Sequence, residues 1–153
     1  MTQKDWDSQL LRQCLKLAEK AAATGEVPVG ALIANSSTGE VISTAYNLKE
    51  KIKSPLGHAE VIATHRACKA LDQWRLTGFT LYSSLEPCVM CSGVLLQARL
   101  DRIVWSAKDQ KGGGESLFGL LSTEELNHQP ILQSGEFAEE SASLLKNFFS
   151  CRR

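Results

Sequence analysis

Two short patterns, His58-Ala59-Glu60 and Pro87-Cys88-Val89-Met90-Cys91, constrain this chain more than anything else in it. Each stands where the apolar residues turn to a helical period, so a fold that uses both has to bring two helix starts to one point. Residues three apart on a helix differ by about 60° in azimuth, so the sulfurs of Cys88 and Cys91 can face one atom. A helix start offers free N–H groups and a partial positive charge, which favour thiolate over thiol. Pro87 suits a chain turning into a helix. One imidazole and two thiolates give zinc three protein ligands and leave a tetrahedral ion one open position, as a catalytic site keeps. Glu60 stands near the metal without having to bind it, where a carboxylate can take a proton from water that zinc has made acidic. Alone, Cys-x-x-Cys is more often a redox pair or chance, and His-x-Glu says almost nothing. Together they predict one catalytic Zn2+ per chain, held by His58, Cys88 and Cys91.

The surrounding pattern alternates helices and strands. Leu10, Cys14, Leu17, Ala18 and Ala21 form one stripe of a helix from Lys4 to Thr24, ended by Gly25. Val29 to Ala34 and Val41 to Ala45 read as a hairpin of strands, followed by a lysine-studded loop from Asn47 to Gly57. A helix from His58 to Leu71, a strand from Thr80 to Ser84, a helix from Cys88 to Ala98 and a strand from Arg102 to Trp105 follow. Lys108 to Glu115, with Gly112-Gly113-Gly114, reads as a flexible loop. A short strand is expected near Ile131, then a helix from Ala138 to Cys151 burying Leu144, Leu145 and Phe148. The fold class is α/β: a three-layer α/β/α sandwich with a central mixed sheet, in one domain over residues 1–153.

Charge and cysteine content narrow the setting. The 17 basic and 17 acidic side chains balance to a formal net charge of zero, which argues mildly against a nucleic-acid binder. A local basic patch is nonetheless what phosphates feel. Five cysteines, one pair of them spaced Cys-x-x-Cys, fit a metal site before a disulfide framework. No apolar run approaches the roughly 20 residues of a membrane span, and no basic-then-apolar leader is visible, so a cytoplasmic address is expected. Cys14, Cys68 and His65 read as structural, and Cys151 as a free thiol.

The His-x-Glu…Pro-Cys-x-x-Cys pattern is similar to the signature of zinc-dependent nucleobase deaminases. Beyond it, the chain resembles the bacterial tRNA-specific adenosine deaminases along nearly its whole length. The resemblance runs through Gly25-Glu26-Val27-Pro28-Val29-Gly30-Ala31, Asn47, His58-Ala59-Glu60, Leu85-Glu86-Pro87-Cys88-Val89-Met90-Cys91, Asn127-His128, and Leu144-Leu145 through Phe148-Phe149 to Arg152-Arg153. It implies a cytidine-deaminase-like sandwich, a homodimer, and conversion of adenosine to inosine at the wobble position of a tRNA anticodon. It also implies that Glu60 shuttles protons to N1 and to the departing amino group of the purine. Asn47 would hydrogen-bond the flipped base. Asp109, Lys111, Asn127, His128, Phe149, Arg152 and Arg153 match positions near the RNA in the family, so the expected partner is a tRNA anticodon stem-loop, with no DNA and no membrane.

Plainer readings stand beside these. Phe148 and Phe149 end an apolar stripe and are usually core, Arg152 and Arg153 fit a solvated tail, and Lys49, Lys51 and Lys53 fit a solvated loop. Two departures from the family lie where substrate would be gripped: the short Gln110-Lys111-Gly112-Gly113-Gly114-Glu115 loop, and Ser54-Pro55-Leu56-Gly57 in place of Asp-Pro-Thr-Ala. A rival with the same chemistry is a deaminase of a free nucleobase or nucleoside such as guanine or cytosine. A rival of another class is a non-catalytic RNA-binding subunit with zinc as a staple, for which Glu60 would have no use.

Overall fold

The computed structural model describes residues 2–152, so Arg153 lies outside the described residues. The first helix, α1 (Gln3–Ala23), starts at an N-terminal box in which the Thr2 amide and hydroxyl both donate to the Asp5 carboxylate. It stops where Gly25 takes φ +84° and the Glu26 amide reaches back to the Ala21 carbonyl. The chain then forms β1 (Gly30–Asn35), β2 (Val41–Tyr46), α2 (Ala59–Leu71), β3 (Phe79–Leu85), α3 (Val89–Gln97), β4 (Arg102–Ala107), α4 (Gly114–Phe118), β5 (Ile131–Ser134) and α5 (Ala138–Ser150). The sheet order is β2-β1-β3-β4-β5. β1 pairs antiparallel with both its neighbours, whereas β3, β4 and β5 pair in parallel. Every strand except β1 therefore runs the same way, as a mixed sheet with an early hairpin requires. No helix among the described residues is long and apolar enough to cross a membrane.

Strand parity separates the two faces. Ala31, Ile33, Leu81, Ile103 and Trp105 point to one side, where they bury Ala59, Ala63 and Ala67 of α2 and Leu95 of α3. Leu32, Ala34, Tyr82 and Val104 point to the other, against Leu10, Leu11 and Cys14 of α1. Gly30 lets α1 sit close to the sheet: a Cβ there would collide with the Cys14 carbonyl and lie 2.6 Å from the Leu17 side chain. The α1 face also buries a polar cluster. Asp7 accepts from the Tyr82 hydroxyl and pairs with Arg102 at 2.8 Å, and Arg102 also donates to Gln133 at 3.1 Å.

Two expectations are corrected. In α5, Leu144, Leu145 and Phe148 are only half-buried, and Ser141 is the buried residue, its hydroxyl donating to the Ser84 carbonyl. The segment from Lys108 to Glu115 is a tied loop that runs into α4, rather than a flexible one. None of Gly112, Gly113 and Gly114 takes a positive φ. What these glycines supply is room: a Cβ on Gly113 would lie 2.5 Å from the Asp109 carbonyl and inside the Glu86 carboxylate, and one on Gly114 would strike the Ser92 hydroxyl.

Removing one member of a buried ion pair strands the other. Asp7→Ala is expected to cost about 3–5 kcal/mol, and Tyr82→Phe, which keeps the pair, only about 1 kcal/mol. Urea unfolding checks this as a lower midpoint at unchanged slope, in that order of severity.

Candidate active site

Crossovers from β2 through α2 to β3, and from β3 through α3 to β4, start α2 and α3 at the same end of the sheet. His58 is the N-cap residue of α2 and Cys88 that of α3, both in extended backbone, with Cys91 at the third position of α3. An N-cap side chain faces the third residue of its own helix, so the two sulfurs converge. His58 Nδ1 lies 3.5 Å from Cys88 Sγ and 3.5 Å from Cys91 Sγ. All three donor atoms lie within 4.8 Å of one another. Bond lengths of about 2.0 Å to nitrogen and 2.3 Å to sulfur give a tetrahedral N···S edge of about 3.5 Å, so this donor set fits zinc. His65 is exposed on α2 and takes no part.

The donors favour charge. Cys91 donating to it, with His58 alongside, holds the Cys88 thiol down at about 4 against the opposing effect of burial. The same hydrogen bond, with burial, pushes the Cys91 thiol up, so without a cation the two sulfurs share one proton. Cys88 in turn raises the His58 imidazole. A divalent cation would displace that proton and take both sulfurs as thiolates. Glu60, 3% exposed on the first turn of α2, lies against Cys91, and burial pushes its carboxyl up to about 7.

Two other buried glutamates hold the loops that flank this centre. Glu26 accepts the Glu50 and Lys51 amides at 3.0 and 2.9 Å, fixing the 47–57 loop. Within it, Gly57 crosses so near Lys49 that a Cβ would lie 2.6 Å from its backbone, which accounts for glycine in this chain. Glu86 accepts the Asp109 amide at 3.1 Å, the Ser116 amide at 2.8 Å and the Ser116 hydroxyl, fixing the 108–116 loop. That loop is joined to the ligand helix by the Gly114 amide on the Pro87 carbonyl and a bridge between Cys88 and Gly113. Both glutamates stand in the motifs quoted above, yet no role for them was visible in the sequence. The only signal was an ionisable residue inside an otherwise apolar or turn-forming run.

The remaining predicted residues divide by position. Asn47 is buried beside His58; its Oδ1 accepts the Ala59 amide at 2.8 Å, and no hydrogen bond among the described residues engages its Nδ2. It lines a cleft of about 290 Å³ with Val27, Lys49, Phe148 and Arg152. Arg152 stacks over the Phe148 ring at 4.0 Å, while Phe149 meets that ring edge-on and is 49% exposed. The aromatic facing the cleft is therefore Phe148, which sequence reasoning assigned to the core. The Asp109 carboxylate accepts the Lys111 and Gly112 amides and so shapes its own loop, with the Lys111 side chain exposed. Asn127 and His128 are not brought to the donors. The His128 Nε2–H donates to the Leu100 carbonyl, at the start of β4 and the opposite end of the sheet, roughly 20 Å away at 3.3 Å per residue.

Comparison with known proteins agrees with this centre. Residues 4–107 match the model of the cytidine and deoxycytidylate deaminase zinc-binding region. The tRNA-specific adenosine deaminase of Bacillus subtilis is 43% identical over 144 residues, covering 94% of this chain and 88% of that one. That of Aquifex aeolicus is 42% identical, covering 91% of each. A solved structure from work on A-to-I editing by tRNA:A34 deaminases at the wobble position superposes with a TM-score of 0.85 at 36% identity, over 90% of this chain and 99% of that one. The guanine deaminase of Nitrosomonas europaea, at 21% identity, TM-score 0.80 and 94% and 85% coverage, shares the fold. The chain belongs to the zinc-dependent cytidine and deoxycytidylate deaminase family and is an enzyme of that family.

Glu86→Ala removes the acceptor of three donors, each worth about 1–3 kcal/mol when stranded. Hydrogen exchange should quicken by at least about tenfold at the 109 and 116 amides while the 50 and 51 amides, held by Glu26, keep their protection.

Proposed function

We propose that this enzyme deaminates adenosine to inosine at the wobble position of a tRNA anticodon. The observation that carries the reading is a three-donor group that fits zinc, with a buried carboxyl beside it, next to which Asn47, hydrogen-bonded to the Ala59 amide, lines a cleft with Phe148 and Arg152. Relatives with the same motifs, named for tRNA-specific adenosine deamination, support the substrate.

His58, Cys88 and Cys91 would hold the metal. When bound, zinc acts as a Lewis acid that makes a water molecule acidic enough to lose a proton near neutral pH. Glu60 accepts that proton and gives it to purine N1 as the new oxygen bonds to C6. It then carries the proton of the C6 hydroxyl to the amino group, so the C6–N bond breaks and ammonia leaves. A carboxyl with its pKa raised by burial exchanges protons in both directions near neutrality, as this sequence of transfers requires. Asn47, with Oδ1 fixed on Ala59, keeps Nδ2 to donate to the flipped base. Arg152, Lys49 and Phe148, which line the cleft, suit a phosphate and a splayed base, and Phe149, Lys111 and Asp109 are assigned to the RNA by the family resemblance.

The enzyme works in the cytoplasm as a homodimer, for which the outer face of α2 and α3 offers an apolar concavity of about 370 Å³ lined by Val61, Cys68, Trp74 and Val94. Arg153 is kept as an RNA-binding residue on the family resemblance alone, and Asn127 and His128, remote from the zinc centre of their own chain, are given no RNA contact within one chain.

Zinc-loaded protein incubated with an anticodon stem-loop carrying a wobble adenosine should produce inosine. Glu60→Ala should lower kcat by at least about 10²–10⁴-fold while metal analysis still finds one zinc per chain. Asn47→Ala should lose fold-level turnover too, whereas loss of zinc from the Glu60 variant, or full activity in it, would contradict the assigned roles.

A further inference from the structure

The zero net charge of this chain hides a basic surface. Four of the 17 carboxylates, Asp7, Glu26, Glu60 and Glu86, are buried, against a single buried cation, Arg102. Among the described residues the side chains left outside the core are 13 acidic and 15 basic, an excess of two positive charges. Part of that excess is organised. Arg12, Lys16 and Lys20 recur at every fourth residue of α1 and are exposed. Like charges at that spacing repel and weaken a helix, so the arrangement is not explained by helix stability. Among the described residues none of the three forms an ion pair; the one present joins Arg102 to Asp7.

These cations line a groove of about 620 Å³ between α1 and the sheet edge, together with Gln9, Gln13, Leu17 and Thr44. Among the described residues no carboxylate lines it. Its other wall is β2, the open edge of the sheet. From the opposite face Arg66 reaches the same edge and donates to the Thr44 carbonyl at 2.8 Å, adding a fourth cation. The groove runs towards the catalytic cleft. Lys20 is followed one turn later by Thr24, and Gly25 and Arg152 stand at the cleft itself. Lys16 lies roughly 14 Å from Gly25 along the helix, about two phosphate spacings of an RNA strand. Glu50 is an exposed acid beside this route, and on the α5 side of α1 the exposed Glu19 and Glu140 line a second concavity with Arg12 and Lys16, where Arg12 stacks over the Phe137 ring at 4.4 Å.

We infer that the α1–β2 groove is a second RNA-binding surface, which grips the sugar-phosphate backbone of the stem while the cleft holds the loop. This rests on the proposed tRNA substrate. Lysines and arginine meet phosphates, and Gln9 and Gln13 suit phosphate oxygens and 2′-hydroxyls, a recognition of backbone and shape rather than sequence. Such a surface sets affinity and leaves chemistry to the cleft.

The test compares the zinc-loaded enzyme with the double variant Lys16→Gln/Lys20→Gln, on the stem-loop and on a short single-stranded oligonucleotide of the loop alone. The double variant should raise KM for the stem-loop about 5- to 30-fold at low salt, leave kcat unchanged, and reduce the salt slope of binding by about two. It should leave the short oligonucleotide unaffected, and Lys4→Gln, at the far end of α1, should change neither. Unchanged KM for the stem-loop would overturn the inference. Equal losses on both substrates would overturn it too, by placing the lysines' effect in the cleft. Wild-type enzyme that makes no inosine in the stem-loop fails the proposed function instead, and this inference falls with it.

Discussion

One constraint governs this molecule: four of its five strands run in the same direction, so the helices after β2 and β3 must both begin at one end of the sheet. That alone brings His58 and Cys88 together across a long stretch of sequence, and helix geometry then adds Cys91. Ligand sites outside the carboxyl ends of parallel strands are general to such sheets. Here the single antiparallel strand, β1, lies between β2 and β3 and sets the separation of the two helices. Its inward residues are alanine and isoleucine, and those of α2 are alanines, which lets α2 pack low enough for its N-cap to meet that of α3.

Around the donors the chain places buried acids for different ends. Glu60 lies beside the candidate donors, and its carboxyl is raised because burial outweighs the hydrogen bonds from its own backbone and from Cys91. Glu26 and Glu86 are surrounded by amides and serve as anchors for two loops that carry few apolar contacts of their own. Short polar loops cannot be held by a core they do not enter, so buried acceptors hold them from below. The same burial leaves the outer surface positive, which reconciles a neutral composition with a polyanionic substrate.

Much of this was legible in the sequence. The element order and the mixed sheet followed from periodicity and turn residues. The convergence of His58, Cys88 and Cys91 followed from two motifs at helix starts, because their spacing has a local geometric meaning. What was not legible depends on contacts between distant residues. Gly112 to Gly114 read as flexible, since composition cannot distinguish a glycine that moves from one that makes room for Glu86. Phe148 and Phe149 are adjacent, and only the seating of α5 decides which faces the cleft. Asn127 and His128 carry no local sign that β5 places them at the far end of the sheet. Net charge failed as a guide because it weighs buried and exposed groups alike.

The most direct test of the account is a competition. Wobble-adenosine stem-loop and free guanine, offered together to the zinc-loaded enzyme, give inosine and xanthine respectively, and their ratio reads relative kcat/KM. The account predicts inosine in the stem-loop with little or no xanthine. Xanthine as the main product, with the stem-loop unchanged, would leave the zinc chemistry intact and contradict the assignment of RNA as substrate.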